Sequence, residues 1–476
     1  MKNKILFSKT VLCLFCVLFS FNIKAQQINT QYFMENSPLR HYWNPSFQPI
    51  SDQYISLPVL GYFQFGISNN SLTMSNVLHS QNGQTVTFLN PENRNIADFY
   101  NSLGSTTGFF PDLRLNLFGY GKRTGDAAYW NFTLSYRVDG GVGVPKDFMK
   151  LLLYGTEKDY NSFNIKSLGA NVTSYLELAI GYSRILSNQW TFGGKLKLLG
   201  GNINASASNS KFDLQASIEN WILNGNGSLR ISSPFKAQTG ATIGDLHFDT
   251  PDNATSFLGI NGAGAGIDLG VTFKPANFQN LTLSAALNDL GFLYWFKNVT
   301  NIDYKIDNYH FEGLGNLRGS NLDIDQIIDS IGKAFSAATS TTTKGNAYIS
   351  TISPKLNVAA EYAFLKNKIS AGLLSRTMLN NGVFYEELTV SGNFRPKEFF
   401  NTSISYSVLG GNFSSIGLGI GLRTGPLHWL LSADYIGFEY AKYDNIPVPY
   451  RTKGINLGAG LNIVLCCFKK VECNEE

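Results

Sequence analysis

The sequence predicts an all-β protein: a single transmembrane antiparallel β-barrel of about fourteen strands, with an N-terminal plug and long structured outer loops. Three observations carry that prediction. Branched and aromatic residues fall on every second position in run after run. The connections between runs are short and long by turns. A segment with the pattern of an export signal precedes them all.

That segment comes first. Lys2, Lys4 and Lys9 precede an apolar run from Val11 to Phe21, then Ile23-Lys24-Ala25 and Gln26. A basic region, an apolar core and a small residue before a cut describe a secretory signal peptide, expected over residues 1–25. Cys13 and Cys16 follow Leu12 and Phe15, not the small residue that a lipoprotein signal uses. Losing Lys2, Lys4, Lys9 and Lys24 brings the 38 basic residues down to the 34 of the acids. A balanced chain gives no reason to expect nucleic acid as partner.

Residues 26–50 are too long for a simple lead-in and contain several aromatics and Asn44-Pro45-Ser46. They are expected to plug the lumen. The barrel is expected over residues 51–465. Its first runs alternate through Ile55, Leu57, Val59, Phe63 and Phe65, then Leu113, Leu115 and Leu117, then Trp130 to Val138. Further runs follow to Ile416, Leu418, Ile420 and Leu422, which alternate with Gly417, Gly419 and Gly421. The aliphatics of this last run are expected to face lipid. Its glycines are expected to face inward, where a missing side chain lets another segment approach the wall. Each run has roughly 9–13 residues, the length of a tilted membrane-crossing strand.

Short connections lie at Gly121 to Ala127, Ser187-Asn188, Pro275 to Phe278, Lys366-Asn367, Pro396 to Glu398 and Gly425-Pro426. Long ones are expected at 68–111, 140–173, 201–264, 289–354 and 440–452, and two short ones on the same side near 378–382 and 409–413. An outer-membrane barrel sorts loop length this way, with short periplasmic turns and longer outer loops. Within the long loops, Asn82-Gly83 and Asn224-Gly225 read as hairpin turns. Asp147 to Tyr154 and Asp323 to Ala337 read as helices, and Asp329-Ser330-Ile331 has the form of a bacterial O-glycosylation site. Residues 466–476 form a charged periplasmic tail that carries Cys466, Cys467 and Cys473. Three clustered cysteines are not a disulfide framework.

Only 15% of residues are charged and 13% are aromatic, which excludes a disordered chain. The five histidines are scattered without metal-ligand spacing. No HExxH, P-loop or GxSxG stands in the chain, so no enzyme, metal or cofactor is expected. Alternation points Arg114, Arg137, Glu177, Lys195, Lys197, Asp268, Glu361, Glu387, Arg395, Arg423 and Asp434 into the lumen. Their mixed signs fit ion pairing or a filled interior better than an ion-selective pore, which shows an excess of one sign.

With the export signal, Asn44-Pro45-Ser46 and the phrase Asn288 to Trp295 (NDLGFLYW, with Asp289, Leu290, Gly291, Phe292 and Trp295) quoted, the chain resembles an uncharacterised family of bacterial outer-membrane β-barrels. That family is grouped loosely with long-chain fatty-acid transporters and with barrel components of a surface-secretion system. The likeness of layout spans nearly the whole mature chain. Fatty-acid transporters carry Asn-Pro-Ala in the N-terminal plug, where this chain has Ser46 in third place. The end also departs from the family, since barrels usually stop at an aromatic residue and here a tail follows Leu465. The resemblance implies passive uptake or export of small hydrophobic or amphipathic molecules. The alternative is a non-enzymatic docking or shuttle component that binds a partner protein through its outer loops. Outer-membrane lipid, a small apolar ligand and a cell-surface or secretion protein are the expected partners, in the outer membrane of a Gram-negative bacterium.

Overall fold

The computed structural model describes residues 29–465 except 82–83, 88–95, 156–160, 218–219, 236, 239–246, 249–258, 313–339, 381–382, 410–411, 437–439, 444–445 and 450–452. The expected signal, the C-terminal tail with its cysteines, the Asp323 to Ala337 helix with its glycosylation tripeptide, and the Asn82-Gly83 turn lie outside the described residues. The strands flanking that turn, Leu78–Gln81 and Gln84–Thr87, do pair antiparallel.

Fourteen wall strands close into one antiparallel barrel. They are β1 (Gln53–Ser56 and Phe63–Asn69), β2 (Thr106–Thr124), β3 (Ala128–Pro145), β4 (Gly169–Ile185), β5 (Trp190–Ala216), β6 (Gly262–Phe273) and β7 (Leu281–Trp295). The second half is β8 (Lys355–Phe364), β9 (Ile369–Asn380), β10 (Val383–Lys397), β11 (Phe400–Leu409), β12 (Asn412–Thr424), β13 (Leu427–Ile436) and β14 (Gly454–Leu465). Each pairs with the next in chain order, and β14 returns to both parts of β1. No wall edge is left open, the condition for a sheet to stand in hydrocarbon.

Alternation sorts the two faces. Phe63, Phe65, Ile67, Leu196, Leu198, Ile404 and Leu431 are exposed outside. Asn116, Thr389, Asn393, Ser403 and Asn462 are buried inside. An apolar belt around a polar interior is the surface that an acyl core covers. Trp130, Trp190 and Trp429 are exposed near strand ends, and the Tyr182 ring lies tilted 4.4 Å from that of Trp130.

Several connections are shorter than the sequence suggests, because strands continue beyond the expected span. β3 runs on to Pro145, and β5 runs on to Ala216. At about 3.3 Å per residue, β5 is roughly 90 Å long, far more than a bilayer core needs. Beyond the barrel β5 pairs with Asn220–Ser232, which pairs in turn with Val299–Glu312. Asn224-Gly225 is therefore no hairpin turn. It lies inside a strand, at a bulge between Leu223 and Gly225. Trp221, Phe212, Leu214, Tyr304 and Ile306 make a separate hydrophobic core in this annex, with Phe148 of the helix Lys146–Tyr154 against it.

The N-terminal segment from Asn29 to Pro49 is held by inward-facing groups of the wall. Its upper end is fixed at Asp434, whose Oδ2 accepts the Asn29 and Thr30 N–H groups at 2.6 and 3.2 Å. Its lower end is fixed at Arg123, which donates to Gln48 Oε1 at 2.9 Å and to Pro49 O at 2.6 Å. Between them Tyr32, Phe33, Met34, Leu39, Tyr42, Trp43 and Phe47 form an apolar core with Tyr54, Tyr62, Leu374 and Leu430 of the wall. The glycine row on β12 makes this possible. A Cβ on Gly417 would collide with Thr30, one on Gly419 would lie 2.6 Å from Met34 Sδ, and one on Gly421 would lie 2.9 Å from Asn36 Oδ1.

Gly419→Val should therefore loosen the segment without preventing barrel closure. We expect faster protease cleavage between residues 29 and 50 with the heat-modifiable gel shift of the barrel retained. Gly392→Ala, where an added Cβ meets nothing within 4 Å, should leave cleavage unchanged.

Candidate functional site

The strongest concentration of charge in the interior is built around Asp289. Asp289 follows Asn288 on β7, at a bulge opposite Ile267 and Leu269 of β6. Its φ of 60° is left-handed, which Asp tolerates better than most residues. The bulge puts two consecutive side chains inside. Asn288 and Asp289 are both buried, while Leu287 before them and Leu290 after them turn outward. The expected end of the strand at this phrase is thus corrected. Asn288 to Trp295 lies within β7, and the slip in the two-residue period marks the bulge.

The Asp289 main-chain N–H donates to Asp268 Oδ1 at 2.7 Å. Its own carboxylate takes three cations: Arg137 at 2.9 Å, Lys197 at 2.6 Å and Lys355 at 3.0 Å. Lys197 also reaches Asp268 at 2.7 Å and Glu177 at 3.4 Å. Arg137 reaches Glu177 at 3.1 Å, and Lys355 reaches Asp139 at 3.0 Å. All seven side chains are almost wholly buried. Three cations and four carboxylates leave one negative charge in excess, so this is a cross-link and not a selectivity ring.

The expected lumen residues therefore fall into distinct groups. Arg137, Glu177, Lys197 and Asp268 join this network. Arg114 and Lys195 flank it on the ring of Tyr42. Asp434 holds the start of the N-terminal segment. Glu361 and Arg395 form a second cluster, in which Arg395 pairs with Glu361 and with Glu35 at 2.6 Å. Glu387 is buried and stands in register with Arg376. Arg423 turns to its own hairpin and donates to Gly425 O at 2.8 Å. Sequence reasoning missed Asp139 and Lys355 because each stands at the edge of an alternating run, beside Val138 and Leu356. Asp289 was singled out for its phrase, with no charge role attached.

Asn44-Pro45-Ser46 sits against the wall on the same side. Asn288 and Asn357 donate to Trp43 O at 2.8 and 3.1 Å. Asn44 donates to Ala285 O at 3.2 Å, and Ser46 Oγ shares a hydrogen bond with Thr272 Oγ1 at 2.7 Å. On β5 and β6 the wall gives way to glycine there. A Cβ on Gly193 would strike Pro45, and one on Gly270 would strike Asn44. On the outer face of this thinned wall lies an apolar groove of about 660 Å³, lined by Leu186, Phe192, Gly194, Leu269, Leu287 and Leu356. Among the described residues no group of three or more His, Cys, Asp or Glu side chains could hold a metal ion.

Asp289→Asn keeps a residue suited to the backbone but removes the one carboxylate that Arg137, Lys197 and Lys355 share. Denaturant unfolding in lipid vesicles should show a loss of about 3–5 kcal/mol. Asp289→Ala should lose more, since alanine resists the positive φ. The Glu35 clasp gives a pH test. Burial works to raise this carboxyl, but Arg395 and then Arg40 outweigh it and bring it down to about 2. The folded value is below that of a free glutamate, near 4.5, so the clasp contributes fully above that pH. Its contribution fades as pH falls towards 2. Protease release of the N-terminal segment should rise over that window, and Glu35→Gln should remove the pH dependence.

No curated protein matches the chain in sequence. Among solved structures, the Ralstonia pickettii toluene transporter TbuX aligns with a TM-score of 0.41 at 8% identity, covering 94% of this chain and 100% of that one. The Pseudomonas putida toluene transporter TodX aligns at 0.38 and 11% identity, covering 92% and 95%. The translocator domain of the autotransporter NalP from Neisseria meningitidis aligns at 0.31 and 9% identity, covering 87% and 88%. The model of the Family of unknown function (DUF5723) matches residues 45–434, from Pro45 at the thinned wall to the Asp434 that holds the N-terminal segment, and the chain belongs to that family.

Proposed function

We propose that the protein is an outer-membrane barrel, exported by a signal peptide cleaved after Ala25, that passes small hydrophobic or amphipathic molecules without chemistry. Residues 26–50 act as its plug. The lumen-facing charges are cross-links that keep the plug seated, and the transported molecule does not travel as an ion through them.

The observation that carries this reading is the apolar groove over Gly193, Gly194 and Gly270. It lies on the outward face, which acyl chains would cover, and the wall behind it is backed by Asn44-Pro45-Ser46 instead of wall side chains. A shift of that tripeptide would leave only the paired glycine backbone of β5 and β6 between the lumen and an apolar surface already exposed to lipid. The groove has the size and the lining of small-molecule sites, mostly apolar and of a few hundred Å³. One further observation favours the docking alternative. The annex around Trp221 is a folded structure of its own outside the barrel, more than a channel rim requires.

Gly194 separates the two readings. A Cβ there would lie 3.6 Å from Asp268 O and 3.9 Å from Leu269 Cδ2, ordinary contacts, so a larger residue fills the groove without reaching the plug. Gly194→Trp should slow entry of an apolar fluorescent probe into cells at least several-fold, with barrel assembly unchanged. Unchanged entry, together with a stoichiometric protein partner in native mass spectrometry, would favour docking through the annex.

A further inference from the structure

An arginine stands on the outer face of β4 where the alternation leads to an apolar side chain. Ala179 and Ser183 turn inward and are buried, so Ile180, Tyr182 and Arg184 turn outward. Arg184 is exposed, and among the described residues it makes no hydrogen bond or ion pair. Its neighbours give its level in the membrane. Tyr182 pairs in register with Trp130, and Arg184 pairs with Phe192, two residues from Trp190. Exposed tryptophans mark the bilayer interface. Arg184 therefore lies between two of them, at the level of headgroups, next to the short turn at Ser187-Asn188. An outward cation costs little there and far more at the midplane.

The same arginine is the charged end of the apolar groove. Leu186 and Phe192 line the groove beside it, and the lining then crosses the sheet in register, from Gly194 to Leu269, Leu287 and Leu356. It climbs as it goes. Arg184 stands three residues from Ser187 at its own short turn, and Leu356 stands ten from Lys366 at its own. The groove thus leads from the headgroup level into the hydrocarbon. Its floor is backbone at Gly194, and no carboxylate lines it. A trough open to hydrocarbon takes up an acyl chain wherever nothing else fills it. The arginine at its end gives one lipid a reason to stay.

We propose that the groove is a binding site for one glycerophospholipid of the periplasmic leaflet. An acyl chain lies over Gly194 towards Leu356, and the phosphate accepts hydrogen bonds from the Arg184 guanidinium. A guanidinium presents parallel N–H donors that match phosphate oxygens, and such charge-assisted pairs are strong. An uncharged lipid would fill the trough but leave Arg184 without a counter-charge. The site rests on the outer-membrane orientation of the preceding reading, but not on the passage of any molecule through the wall. A passenger that leaves by the groove has to displace the lipid.

The full chain should be extracted in a mild detergent, washed free of bulk lipid and examined by native mass spectrometry, with the retained species identified by fragmentation. One phospholipid per barrel should survive. After reconstitution with phosphatidylethanolamine or with diacylglycerol of the same chains, the first should stay bound and the second should be mostly lost. Arg184→Gln should lower phospholipid retention several-fold, to the level of diacylglycerol, and Gly194→Trp, which fills the groove, should abolish it. Arg184→Lys keeps the charge but not the fork, so it serves if Arg184→Gln fails to assemble, and it should retain an intermediate share. Equal retention of the two lipids would overturn the proposal. So would phospholipid retention that the Arg184 variants leave unchanged, a fatty acid held in its place, or a dimer that Gly194→Trp dissociates. Probe entry is read in cells and lipid retention in detergent, so this site and the passage reading can fail separately.

Discussion

A carboxylate at a break in the strand period organises this interior. Asp289 occupies a left-handed position at a β-bulge, and from it meets cations from three other strands: Arg137 of β3, Lys197 of β5 and Lys355 of β8. Such a network contributes little net stability, because each ion gives up its water on entering. What it imposes is interdependence. Buried away from solvent, each member needs every other. The bulge makes the geometry possible, since only a doubled inward position lets Asn288 hold Trp43 while Asp289 collects the cations. The wall network and the segment thereby meet at two adjacent residues of one strand.

The segment in turn explains the glycines. A closed wall of fourteen strands encloses more space than its own side chains fill, and the N-terminal residues occupy it with an aromatic core of their own. For a backbone to lie against a wall, the wall must lack side chains where they meet. Gly417, Gly419 and Gly421 do this for Thr30 to Asn36, and Gly193 and Gly270 do it for Asn44 and Pro45. The two sites differ in what lies outside. Over β12 the outer face carries Leu418 and Ile420, while over β5 and β6 it opens into the apolar groove.

How much of this was legible in the sequence follows from what solvent demands of each face. Where lipid touches one side and the packed lumen the other, alternation is obligatory. So Leu196 against Lys197, or Ile404 against Ser403, can be read directly. Above the bilayer the demand lapses. Residues 205–210 (ASASNS) carry no apolar stripe, and so the outer half of β5 reads as loop although it is strand. At Asn288-Asp289 the period slips by one, and a slip is indistinguishable in sequence from an end. Partners are less legible still. Asp139 and Lys355 are 216 positions apart and meet only because the barrel closes.

The same physical reasoning distinguishes the two ends of the N-terminal segment. At Asp434 and at Arg123 it is held by charge-assisted hydrogen bonds, which are strong and directional. At Asn44-Pro45-Ser46 it is held by neutral bonds to Ala285 O and Thr272 Oγ1 and by close packing on glycine. Neutral bonds are roughly half as strong. If any part of the segment leaves the wall while both ends stay anchored, it is this middle stretch. The middle is also where the wall has glycine in place of bulk and apolar surface on its other side. A displacement confined to these few residues would bare Gly193 and Gly270 to the lumen, where the wall is thinnest though still paired, and would leave the Asp289 network in place.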